Sequence, residues 1–180
     1  MRIQKNDRSG SAEPLQVIVF ETLKYLFSSL PQNDDVTRSL NIPLRKPIMN
    51  EPETIRKILK ESKTIAVVGL SDKPDRYSYI VASYLMEHGY KIIPVNPNIV
   101  EWKGLKSHAS LKDISEKIDV VGIFRRSEFV DVVVKEAITI GAKAIWMQEG
   151  VVDEKAAEKA EKAGLLVVMD RCMMKEHRKK

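Results

Sequence analysis

The chain has 180 residues, enough for one domain with a real core plus an extension and too few for two typical domains. Its 43% hydrophobic content and formal charge of +5 fit an ordinary soluble globular protein that favours anionic partners. A single cysteine, Cys172, excludes an intrachain disulfide and points to a reducing, cytoplasmic setting. No apolar run approaches the roughly 18 residues of a membrane-spanning helix, and Met1 to Asp7 lacks the pattern of a signal peptide.

Residues 1–48 are poorly patterned. Val17 to Phe20 could open a short element, and Thr22 to Leu30 has some apolar spacing. Pro31, Asn33, Asp34 and Asp35 break it, and Pro43 and Pro47 prevent a regular element soon after. Asn50-Glu51-Pro52-Glu53 then has the chemistry of a helix start, with Asn50 as the expected cap and Ile55, Ile58 and Leu59 following at helical spacing. We therefore expect Met49 to be the natural initiator and residues 1–48 to be an upstream mis-start or dispensable extension. A partner-binding arm is the alternative.

From Thr64 the pattern becomes regular. Thr64 to Val68 reads as a buried parallel strand ending in Gly69. Ser78 to His88 is a helix with Ile80, Val81, Tyr84 and Leu85 on one face and Gly89 after its end. Tyr90 to Val95 is a second strand, Ser110 with Asp113 caps a short helix, and Val120 to Phe124 is a third strand. Ser127 is the expected cap of a helix whose Phe129, Val130, Val133, Val134, Ala137 and Ile138 face a sheet. Ala144 to Met147 is a strand, Asp153 caps an Ala-rich helix stopped by Gly164, and Leu165 to Met169 is the last strand. This alternation implies a Rossmann-like three-layer α/β fold, with a mostly parallel sheet and helices on both faces. Residues 49–180 are that domain, ending in a basic tail of Arg171, Lys175, Arg178, Lys179 and Lys180 that reads as a solvated terminus rather than a nucleic-acid arm.

In such a sheet ligands bind beyond the carboxyl ends of the strands, where the strand order reverses. After the first strand comes Gly69-Leu70-Ser71-Asp72-Lys73-Pro74-Asp75-Arg76-Tyr77-Ser78. Gly69 allows close backbone approach, the following helix N-terminus offers free N–H groups, and Arg76 is an always-charged fork suited to phosphate. Ser71 and Ser78 add hydroxyls, though Ser78 also suits a helix cap. By residues alone this loop reads equally as a phosphate site or a plain strand-to-helix connection. The absence of G-x-G-x-x-G and the Asn96-Pro97 corner, where an acidic ribose ligand would stand, argue against NAD. The absence of a Walker loop argues against ATP. Phe124-Arg125-Arg126-Ser127 closes the third strand with two adjacent arginines, which either share an anion or point to solvent and pair with Glu128 or Asp131.

Val67-Val68-Gly69-Leu70-Ser71 with Pro74, Arg76 and Ser78, then Gly89-Tyr90 and Pro94-Val95-Asn96-Pro97, resembles the free-standing CoA-binding protein family. Val120 to Arg126, Ile145-Trp146-Met147-Gln148 and Met169-Asp170-Arg171-Cys172 look like the same family's remaining motifs. These proteins are single-domain relatives of the nucleotide-binding domain of succinyl-CoA synthetases. The match runs from Glu51 to His177. The resemblance implies that Gly69, Leu70, Ser71, Arg76 and Ser78 face the CoA diphosphate. Asn96 and Pro97 would lie near the adenosine, and Phe124, Arg125 and Arg126 would line the other side. The ligand expected is coenzyme A or an acyl-CoA, whose extra phosphomonoester gives three arginines a use.

No metal-ligand spacing stands out, His88 closes a helix beside Gly89 and reads as structural, and neither His108 nor His177 has a recognisable nucleophile or acid partner nearby in sequence, so no catalytic residue is assigned. A binding module without turnover of its own, acting alone or beside a partner enzyme, is the preferred reading. A subunit of an acyl-CoA ligase or redox enzyme using another nucleotide is the second, and a basic nucleic-acid-binding protein the third. Cys172 is a candidate contact for the CoA thiol, with Arg171 beside it; a small packing residue is the alternative. The intact mass of the protein made from its native gene tests the Met49 start, and a species carrying residues 1–48 overturns it.

Overall fold

The computed structural model describes residues 49–179; the expectations for residues 1–48 lie outside them. The domain opens with helix α1 (Pro52–Glu61), whose Ile55, Ile58 and Leu59 are buried. Pro52 takes the first turn as expected. Asn50 does not cap the helix. It adopts φ +64°, and its side-chain oxygen accepts the Met169 N–H at 2.9 Å, so it fastens the approach to α1 onto the last strand.

Five strands build one all-parallel sheet: β1 (Thr64–Val68), β2 (Lys91–Val95), β5 (Val120–Ile123), β6 (Ala144–Met147) and β7 (Leu166–Val168), in the order β2-β1-β5-β6-β7. Their interiors are apolar on both sides because both faces are covered. Helix α2 (Tyr77–Glu87) lies with α1 and the short C-terminal helix α5 (Met173–His177) over Ile65, Val67, Val120, Trp146 and Val168. Helices α3 (Val130–Thr139) and α4 (Glu154–Lys162) cover Ala66, Val121, Ile123, Ile145 and Val167. The expected three-layer Rossmann-like arrangement is therefore present. Among the described residues no helix is long and apolar enough to cross a membrane.

Several local expectations need correction. The buried stripe of α2 is Ser78, Val81, Ala82 and Leu85, a regular i, i+3, i+4, i+7 series. Ile80 falls beside that stripe and is exposed. Ser127 sits inside a 3₁₀ turn (Ser127–Phe129) that precedes α3, and its hydroxyl accepts the Val152 N–H at 3.1 Å rather than capping the helix. The turn also carries Phe129 off the buried face and leaves it exposed. Asp153 does cap α4, accepting from Ala156 N–H at 3.0 Å, and Ser110 with Asp113 forms a reciprocal capping box on a single 3₁₀ turn (Leu111–Asp113). A small antiparallel hairpin, β3 (Glu101–Trp102) and β4 (Leu105–Lys106), was not evident in the sequence. Its two-residue turn, Lys103-Gly104, has positive φ at both positions, as a type I′ turn requires. The hairpin buries Trp102 edge-on against Tyr79, with ring centroids 5.6 Å apart.

At the edge of the sheet where β1 and β5 begin, Asp119 holds three strands together. Its carboxylate accepts N–H bonds from Lys63 and Thr64 at 2.9 and 3.0 Å and pairs with Lys143 at 2.7 Å. Its backbone carbonyl accepts from Lys143 and Ala144. Burial raises the pKa of this carboxyl, but the Lys143 ammonium and the two amides outweigh it and hold the group below its ordinary value. A lowered folded-state pKa means the contribution to stability is complete above the unfolded carboxylate range and is lost as pH falls through the folded value. Asp119→Ala, which strands two amides, is expected to lower unfolding stability by about 1–3 kcal/mol near neutrality. Denaturant unfolding should show that deficit shrinking below about pH 4.

Candidate functional site

The order β2-β1-β5-β6-β7 reverses between β1 and β5: the chain moves outward from β1 to β2, then returns to the other side of β1 for β5. The crevice above the carboxyl ends of these two strands is the place where such a sheet accepts ligands. Two loops meet there. Gly69 N–H donates to Val95 O at 2.8 Å and Phe124 N–H to Val68 O at 2.9 Å, so both loops leave the sheet still hydrogen-bonded to it. Gly69 has φ +86°, and a Cβ on it would lie 2.8 Å from Phe124 O and 3.0 Å from Arg125 Cδ. Only glycine fits this contact.

The loop after β1 organises itself around its hydroxyls. Ser78 Oγ accepts the Ser71 N–H at 3.1 Å, and Ser71 Oγ accepts the Lys73 N–H at 3.2 Å. Ser78, expected as a possible helix cap, instead reaches back across the loop; Arg76 occupies the cap position of α2. A cleft of about 490 Å³ lies over this loop, lined by Gly69, Ser71, Lys73, Arg76, Tyr77, Ser78 and Phe124. Among the described residues neither Lys73 nor Arg76 is in a salt bridge, so two cations face it without a carboxylate partner.

A second cleft of about 430 Å³ adjoins the first. Tyr77 and Phe124 wall both, and the second continues across the ends of β5, β6 and β7 to Arg125, Arg126, Gln148 and Cys172. Arg125 is half-buried, with its guanidinium 5.5 Å from the Phe129 ring centroid. Arg126 is exposed and reaches Glu128 at 3.8 Å, an ion pair too solvated to hold it. Asp131 pairs with Lys135 and Lys159 instead of with either arginine. Lys175 and Glu149 form a 2.6 Å pair at the rim, and the Glu149 carboxylate raises the lysine's pKa. Cys172 is buried and lines this cleft.

Not every sequence-derived candidate faces a cleft. Leu70 is fully buried in the α2-side core, so only its backbone is near the loop surface. Asn96 spends its side chain internally: its nitrogen donates to Leu70 O at 2.8 Å and its oxygen accepts from Asn98 N–H at 3.0 Å. Pro97 is exposed beside it, and neither residue lines the two clefts. Lys73, Tyr77, Gln148, Glu149 and Lys175 also line the clefts, though the sequence assigned none of them a ligand contact. Gln148 and Glu149 carry the same signal as Arg125, since both directly follow a strand. Among the described residues no group of His, Cys, Asp and Glu could hold a metal ion.

Comparison with known proteins shows the family. The CoA binding domain family matches residues 63–178. The chain belongs to that family. The uncharacterized protein YneT of Bacillus subtilis is 46% identical over 123 residues, 68% of this chain and 91% of that one. A hypothetical protein from Pyrococcus horikoshii superposes with a TM-score of 0.70 at 45% identity, covering 72% of this chain and 91% of that one. The alpha subunit of acetate–CoA ligase (ADP-forming) II from Pyrococcus furiosus is 31% identical over 120 residues, 61% of this chain but only 26% of its own length. This CoA-binding-family domain thus corresponds to about a quarter of that ligase subunit.

The tight passage at Gly69 makes a direct demand. Gly69→Ala forces a Cβ into left-handed backbone and against a main-chain carbonyl, and is expected to cost at least about 1–2 kcal/mol in unfolding stability. Gly89→Ala, at φ +88° with nothing within 4 Å of its Cβ, isolates the backbone cost alone. Thermal or denaturant unfolding of the two variants should show the larger loss at Gly69.

Proposed function

We propose that this domain binds coenzyme A or an acyl-CoA, with the diphosphate on the Gly69–Ser78 loop and the rest of the ligand crossing Tyr77 and Phe124. The observation that carries the reading is the cleft at the strand-order reversal, where Gly69, two hydroxyls and two cations without a salt-bridge partner among the described residues face one space. A diphosphate meets these groups at once: it accepts from the serine hydroxyls and neutralises Lys73 and Arg76. Family membership and the likeness to acetate–CoA ligase subunits support CoA over other anions.

CoA differs from a plain dinucleotide in carrying an additional phosphomonoester, worth about −1.5 to −2 in charge at neutral pH. Of the two corner arginines, Arg125 is the better candidate for a phosphate contact. Its side chain runs over Gly69, whereas that of Arg126 is 83% exposed and turned to Glu128. The domain acts in this reading as a binding module in a cytoplasmic setting, alone or beside an acyl-transferring enzyme.

Calorimetry against CoA, dephospho-CoA, NAD and ATP tests the proposal. CoA should bind, and dephospho-CoA about tenfold more weakly, the size of one charge-assisted contact. Arg76→Ala and Arg125→Ala should each weaken CoA by about tenfold or more, and Arg126→Ala by less. Absence of CoA binding, or a preference for NAD or ATP, overturns it.

A further inference from the structure

A ligand that fills the first cleft and continues over Tyr77 and Phe124 enters the second, since those side chains wall both. There it meets Gln148, only 4% exposed. The Gln148 side-chain oxygen accepts the Met173 N–H at 3.1 Å and so seats the start of α5. The side-chain nitrogen has no hydrogen-bond partner among the described residues. The residue lines the cleft, and its nitrogen is not among the sealed, unpaired polar atoms of the interior. A donor held this way is expected where a ligand supplies the acceptor. One residue before Met173, Cys172 lines the same cleft. The second cleft therefore brings together a cysteine and a hydrogen-bond donor fixed by its own second bond, and it shares Tyr77 and Phe124 with the cleft over the phosphate loop.

We infer that the second cleft takes the thioester end of an acyl-CoA and that Cys172 accepts the acyl group, with the Gln148 carboxamide donating to the thioester oxygen. This rests on the CoA reading above. The Cys172 sulfur attacks the thioester carbonyl carbon, a carbon–sulfur bond to Cys172 forms, and the carbon–sulfur bond to CoA breaks. The Cys172 proton ends on the CoA thiol. One thioester replaces another, so the step is redox-neutral, needs no co-reactant, and is reversed by free CoA. Negative charge gathers on the carbonyl oxygen during the attack, where a pre-positioned donor has its largest effect. The domain then serves as a resting place for an acyl group between two transfer reactions.

The test uses the full chain incubated with acetyl-CoA, followed by intact mass, peptide mapping and assay of released CoA thiol, with CoA affinity measured on the same preparation. The expected result is one acetyl-sized adduct on Cys172, cleaved by neutral hydroxylamine, matched by released CoA and removed by excess CoA. Cys172→Ser should abolish the adduct; should that variant fail to fold, mapping on the unaltered chain still assigns the residue. Gln148→Glu keeps an oxygen for Met173 N–H but replaces the donor with a carboxylate. It should slow acylation at saturating acetyl-CoA by about 100-fold. CoA binding without an adduct, or an adduct on Lys175 or another lysine, overturns the acyl-transfer step alone. An unchanged rate in Gln148→Glu overturns the role of Gln148. Failure of CoA to bind at all overturns the underlying ligand reading and this step together.

Discussion

At the carboxyl ends of β1 and β5 two loops pass so closely that a single added carbon at Gly69 would collide with the Phe124 carbonyl, 2.8 Å away. Each loop is still tied to the sheet there, Gly69 through Val95 and Phe124 through Val68. Everything proposed about ligand binding depends on this passage. It brings the Ser71–Ser78 loop beside the Arg125 side chain, and it sets Phe124 as the partition between two clefts. Parallel strands supply the register, but glycine supplies the separation.

Charge is sorted along the strand direction in a way that suits this layout. At the opposite edge, Asp119 is fully engaged, by two amides and Lys143, and serves the sheet. At the ligand edge the cations outnumber their partners. Among the described residues Lys73 and Arg76 have no carboxylate, Arg126 reaches Glu128 only loosely, and Lys175 is closely paired. Cations clustered around a strand-to-helix loop attract multivalent anions. The same surface also explains why a formal charge of +5 need not indicate nucleic acid.

The fold was legible because strand interiors and helix stripes repeat. The run Thr64 to Val68 forms β1 at the expected bounds, and Asp153 and Gly164 bracket α4 as their chemistry demands. What periodicity could not supply was the partner of a polar side chain. Asn50, Ser78 and Ser127 all have cap chemistry, yet each bonds a backbone N–H elsewhere: Met169, Ser71 and Val152. The β3–β4 hairpin escaped because its strands have two residues each and its turn is Lys-Gly rather than Asn-Gly. At the site, the loop residues Ser71, Arg76 and Ser78 and the Phe124-Arg125-Arg126 corner were visible as strand-end chemistry. Lys175 was not, since α5 returns it to the cleft only through tertiary packing.

Asn96 looked like a ligand contact and turns out to be a fastener. Its nitrogen holds the Leu70 carbonyl, its oxygen the Asn98 amide, and its backbone is bonded to Ser107 and His108. The loop after β1, the end of β2 and the segment behind the β3–β4 hairpin are thereby joined into one unit. Much of the entropy cost of arranging that loop is already met when the chain folds. An incoming anion then need not organise its own cradle, and a larger share of each contact it makes can appear as affinity.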